Sequence, residues 1–121
     1  MKRNEDCIRD IMLYLEENLT PSKKIKGMDL HSIFSEDFSK EDIDESITII
    51  LERKLVEKKN EDKCSPRATN FSRITDKGHD YLDVVRNDTV WNSLKEKFKG
   101  LLTPEHIVPF FHAFLKANNL L

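Results

Sequence analysis

Cysteine is scarce in this chain: Cys7 and Cys64 are the only two among 121 residues. They do not have finger spacing, which argues against a zinc module, and a domain of this size needs no disulfide to fold. Their expected state is two free thiols in a reducing cytoplasm. Glycine is equally sparse. Gly27, Gly78 and Gly100 are widely separated, which excludes a Gly-rich phosphate-cradling loop. No run approaches the ~20 apolar residues of a membrane span, and Met1 to Asp6 lead straight into an amphipathic pattern rather than a secretory signal. Charge of one sign is lacking too. Twenty Lys and Arg stand against 22 Asp and Glu, for a formal net charge of −2, so any nucleic-acid surface must be local.

What is present is a dense helical signal. Charged residues make up 35% of the chain and hydrophobic residues 38%, which fits one folded domain with a thin core. Asn4 reads as an N-cap followed by Glu5 and Asp6. Ile8, Ile11, Met12, Leu15 and Leu19 then recur at helical spacing. Lys23 to Gly27 reads as loop, or as a short strand with Ile25 inward. Leu30, Ile33 and Phe34 suggest a short helix within 28–38. Ser39 reads as the cap of a helix from Lys40 to Lys54, with Ile43, Ile47, Ile50 and Leu51 as its apolar face.

Two β-prone segments follow, Leu55–Lys59 and Thr69–Ile74, separated by a polar stretch that holds Pro66. They are expected to pair as an antiparallel hairpin. Thr75 reads as the cap of the next helix, with Tyr81, Leu82 and Val85 on its apolar side. Gly78 in its first turn implies close approach to the hairpin. Asp88 reads as the cap of a helix carrying Val90, Trp91, Leu94 and Phe98, which Gly100 ends. Thr103-Pro104 opens a last helix with Ile107, Phe110, Phe111, Phe114 and Leu115, where Pro109 marks either a kink or the true start. The fold class expected is mainly α with a small β-hairpin: a winged helix-turn-helix core over 1–87, with a helical extension over 88–121 packed on it.

Two stretches carry a resemblance. Leu51 to Glu57, followed by Ser72 to Leu82, resembles the helix, wing and following helix of winged-helix regulators. Ile74 to Trp91, together with the opening Met1-Lys2-Arg3-Asn4-Glu5-Asp6, is similar to a phage and prophage family catalogued as domain of unknown function 2513. The resemblance implies a winged-helix fold and a phage or prophage setting, and no activity. His79, Asp83 and Arg86 lie at spacings of four and three, so they are expected to form a structural ladder on one helix face. The indole N–H of Trp91 is expected to meet a carbonyl.

No catalytic constellation is evident. His31, His79, His106 and His112 make no metal-ligand spacing, and no cofactor is expected. Two surfaces invite a partner. Lys54, Lys58, Lys59, Lys63, Arg67 and Arg73 make the hairpin basic, which suits a duplex DNA backbone. The helix before it, which in this architecture normally enters the major groove, carries Asp44, Glu45 and Glu52 and would repel phosphates. That acidic strip suits instead a host or phage protein, as do Phe110 and Phe114 of the last helix. With Phe111, these rings are also expected to support a weak homodimer. The functional expectation is a cytoplasmic, regulatory DNA-binding module, with a protein-interaction module as the alternative.

Overall fold

The computed structural model describes residues 4–59, 65–98, 102 and 104–117. Helix α1 spans Glu5–Asn18 and begins where Asn4 accepts the Cys7 N–H at 3.0 Å. Glu5 and Asp6 complement the dipole of its first turn. Its stripe of Cys7, Ile8, Ile11, Met12 and Leu15 is buried. Strand β1 is only Ile25–Lys26, with Ile25 inward, so the strand reading of that stretch holds. Helix α2, Gly27–Phe34, buries Leu30 and Phe34, but Ile33 points outward at 40% exposure. The expected apolar face was therefore one residue too wide. Ile33 lies about 100° round the helix from Phe34.

Helix α3, Lys40–Glu52, starts with Ser39 accepting the Asp42 N–H at 3.1 Å. It buries Ile43, Ser46, Ile47, Ile49 and Ile50. Its end sets the geometry of everything after it. Lys54 has φ 57°, the Lys54 N–H donates to Leu51 O at 3.1 Å, and the Leu55 N–H donates to Ile50 O at 3.0 Å. These are the two reversed bonds of a Schellman motif, with a lysine where glycine is usual. The chain is thereby turned into strand β2, Val56–Lys58, which pairs antiparallel with β3, Asn70–Ile74. The expected hairpin is present, preceded by the expected helix. The register runs Val56↔Ile74 and Glu57↔Arg73, then shifts at a bulge so that Lys58 faces Phe71. β1 adds on the other side of β3, giving the order β1-β3-β2 and leaving β2 at the edge.

Helix α4, Asp76–Val85, is capped by Thr75, whose hydroxyl accepts the Gly78 N–H at 3.1 Å. The same hydroxyl reaches Lys54 O at 2.5 Å and Leu55 O at 3.0 Å, and the Thr75 N–H donates to Leu55 O at 3.0 Å. Gly78 explains itself here. A Cβ at this position would overlap the Leu55 carbonyl oxygen and lie 2.6 Å from an Ile74 methyl. Tyr81, Leu82, Val84 and Val85 complete the buried face.

Helix α5, Asp88–Lys97, and helix α6, Ile107–Ala117, form the extension. The cap of α5 is Asn87, accepting the Val90 N–H at 3.1 Å, and not Asp88. Asp88 instead meets Arg9 at 2.6 Å. The Trp91 indole donates to the Asp6 carboxylate at 3.0 Å rather than to a carbonyl, and Lys95 donates to the same carboxylate at 2.9 Å. The Arg9 guanidinium lies 5.5 Å from the centre of the Trp91 ring, and its Nε donates to Val85 O at 2.8 Å. The extension is thus pinned to the first turn of α1. Pro109 sits in the first turn of α6, where its missing N–H has no helical partner to lose. Gly100, the expected end of α5, lies outside the described residues; Phe98 is the C-cap.

Two glycine substitutions should act in opposite directions. Gly78→Ala should lower stability by about 1–3 kcal/mol, because a carbonyl cannot yield to the added methyl, despite alanine's higher helix propensity. Lys54→Gly should raise it by about 0.5–1 kcal/mol by relieving a left-handed residue. Urea unfolding of both variants checks the pair. A third expectation concerns pH. Burial alone would push the Asp6 carboxyl up, but the hydrogen bonds from Lys95 and Trp91 and the charges of Lys95 and Arg9 outweigh it and hold it below its usual value of 3.8. A depressed carboxylate stabilises above its unfolded pKa and loses that contribution as pH falls through the folded one. Asp6→Asn should therefore cost about 1 kcal/mol at pH 7, discounted for its partial exposure, and the cost should shrink below about pH 4.

Candidate functional site

The end of α3, the base of the hairpin and the first turn of α4 enclose an open groove of about 530 Å³. Leu51 and Val56 form its apolar floor, and Lys54, Lys58, Arg73 and Lys77 stand around it with Glu57 and Asp76. The Schellman turn presents Lys54, the edge strand presents Lys58, and the Thr75 cap presents Lys77. Four cations against two carboxylates leave a local positive excess in a chain of net negative charge.

The hairpin cations expected from the sequence divide. Lys54, Lys58 and Arg73 come together at the groove. Lys59 is exposed just past β2, where its N–H donates to Asn70 O at 2.7 Å. Arg67 is exposed on the 3-10 turn Pro66–Ala68, which packs against the Gly27 end of α2. Lys63 and Cys64 lie outside the described residues. Arg73 is not a free cation: its Nε and Nη2 donate to the two oxygens of Glu57 at 2.9 and 3.0 Å. The cross-strand register 57↔73 imposes that pair. Lys77 was missed because it belongs to the helix after the hairpin and only the fold returns it to Lys54.

The acidic strip is thinner than its composition suggests. Asp44 Oδ1 lies 2.6 Å from His31 Nε2 on α2, so this carboxylate already has a partner. Asp42 accepts from the Asn4 amide at 3.0 Å. Glu45 is half-buried, and Glu41 and Glu52 are exposed. On α6, Phe110 is half-buried and stacks on Phe98 with centroids 4.7 Å apart, while Phe111 is half-buried beside it. The side chain of Phe114 lies outside the described residues.

The His79, Asp83 and Arg86 ladder forms only in part. Arg86 donates to Asp83 at 2.9 Å and also pairs with Glu16 of α1, which together push the guanidinium's pKa up. The His79 ring is exposed and takes no part in that pairing. The Arg86 contacts tie α4 to α1. Burial pushes the Cys7 thiol up to about 11, which makes it inert as a nucleophile near neutrality. Among the described residues, no group of three or more His, Cys, Asp or Glu is placed to hold a metal ion, and no helix is long and apolar enough to cross a membrane.

A family model described as "Hypothetical protein (DUF2513)" matches residues 2–101. A protein of Haemophilus influenzae (strain ATCC 51907 / DSM 11121 / KW20 / Rd) named "Uncharacterized protein" is 34% identical over 100 residues, covering 83% of this chain and 80% of that protein. No solved structure matches.

The Glu57–Arg73 pair is exposed on both sides, so it should contribute little to folding. Glu57→Gln should shift stability by no more than about 0.5 kcal/mol in urea unfolding, leaving Arg73 as a released cation.

Proposed function

The chain belongs to the DUF2513 family, and we propose that it is a non-enzymatic winged-helix module of prophage type that binds duplex DNA through its hairpin side. The order helix, strand, helix, helix, strand, strand, helix supports the winged-helix reading, as does the strand order β1-β3-β2. The observation that carries the DNA reading is the convergence of Lys54, Lys58 and Lys77 on one open groove, with Lys59 and Arg67 further along the hairpin. Cations gathered on one open face can neutralise backbone phosphates and gain affinity from counterion release. The exposed Glu41 and Glu52 of α3, with Glu45 beside them, disfavour insertion of that helix into the major groove. Contacts would be to backbone more than to bases, so sequence discrimination through the groove would be weak. A reducing cytoplasm fits the buried free thiol of Cys7.

Fluorescence anisotropy with a duplex of about 20 base pairs tests this directly. The wild type should bind at low salt. Replacing Lys54, Lys58, Lys59, Arg67 and Lys77 with Gln should weaken binding and flatten the salt slope by about 0.9 for each phosphate no longer neutralised. No binding to duplex or single strand at low salt would sink the reading. The protein-partner alternative is favoured by the carboxylates of α3. Reversing Glu41, Glu45 and Glu52 to Lys should then abolish capture of a basic partner, whereas on the DNA reading it leaves DNA binding unchanged or tighter. Weak self-association through α6 is a separate reading. A strictly monomeric wild type in sedimentation up to millimolar concentration, with a large stability loss in Phe110→Ser, would place that face in the core of its own chain.

A further inference from the structure

We propose that Arg53 is a further phosphate-binding residue of this surface and that Glu105 is its resident counter-ion, displaced when a phosphate arrives. The inference rests on the nucleic-acid reading above and adds a role for the segment before α6. Arg53 is the C-cap of α3, the point where the acidic face of that helix gives way to Lys54. Its Nε lies 3.3 Å from Glu105 Oε2. The two residues share a cleft of about 420 Å³ with Lys54 and Lys77, so Arg53 belongs to the same cationic cluster as the groove and is the member that the extension occupies.

Glu105 is held where it can do this. The Leu102 N–H donates to the Glu5 carboxylate of α1 at 3.1 Å, and Leu102 and Ile107 are buried on either side of it. The chain is therefore held on both sides of Glu105, and its carboxylate faces Arg53. Arg53 is less constrained. Its side chain keeps 42% of its exposure, against 24% for Glu105, so it is the member of the pair more open to a ligand. The cleft sets three cations, Arg53, Lys54 and Lys77, against three carboxylates, Glu52, Asp80 and Glu105. Removing one carboxylate leaves a positive excess contiguous with the groove. A phosphate diester offers the guanidinium two oxygens in fork geometry and can replace the longer contact to Glu105.

The test compares the full chain with Glu105→Gln, Arg53→Gln, the double variant and Glu105→Asp, by anisotropy with the same duplex across a salt series. Circular dichroism establishes that each is folded. Glu105→Gln should bind about fivefold tighter at low salt and steepen the salt slope by about 0.9, the signature of one further phosphate neutralised. The gain should vanish in the Arg53→Gln background. Glu105→Asp draws the carboxylate back by one methylene and should give a smaller gain, which keeps the proposal testable if the Gln variant folds poorly. A wild type that binds while Glu105→Gln and Glu105→Asp match it in affinity and slope overturns the proposal alone. A gain that persists without Arg53 also overturns it, since the effect would then be general charge. Absence of binding by every variant removes the nucleic-acid reading and this inference together.

Discussion

The carbonyl of Leu55 is the constraint on which the candidate site depends. It accepts the Thr75 N–H, shares the Thr75 hydroxyl with the Lys54 carbonyl, and fills the space that a side chain at position 78 would occupy. Three elements meet there: the end of α3, the base of the hairpin and the start of α4. A buried carbonyl left without these donors would cost on the order of 1–3 kcal/mol, so the junction is strongly specified. Its consequence is positional. Lys54, Lys58 and Lys77 come from three elements, and only this close packing brings them round one groove.

The second constraint is the clamp at Asp6. One carboxylate on α1 receives Trp91 and Lys95 from α5, and Arg9 closes over the same ring. Part of the surface of Trp91 is thus covered by cations whose own charge is matched by Asp6 and Asp88. The clamp matters for the surface because α5 leads to the segment that carries Glu105. The extension is therefore tied both to the first turn of α1 and to the C-cap of α3, so its packing and the charge of the candidate site are coupled.

Much of the architecture was legible because it rests on local chemistry. Asn4, Ser39 and Thr75 cap helices as their side chains dictate, and the isoleucine stripe of α3 reports a buried face directly. Misreadings arose where neighbouring residues offered the same chemistry. Asn87 and Asp88 can each cap a helix; here Asn87 does so, and Asp88 pairs with Arg9. Ile33 has the hydrophobicity of a core residue, yet the helix turns it outward. β1, at two residues, is too short for a period to register, so the sequence left it open between loop and the strand that forms. The site was less legible than the fold. Arg73 counts as a cation in the composition, but the register of the hairpin pairs it with Glu57. Lys77 and Glu105 reach the site only through tertiary contacts across long stretches of chain.

The central claim is that the hairpin side, and not the acidic helix, meets the ligand. An NMR titration of the isotopically labelled chain with a short DNA duplex measures this residue by residue at low salt. Amide shifts should concentrate at Arg53–Lys59, at Arg67 and at Arg73–Lys77, with Glu41, Glu45 and Thr48 little changed. Largest shifts along Glu41–Thr48, with Lys54, Lys58 and Lys77 unmoved, would contradict it.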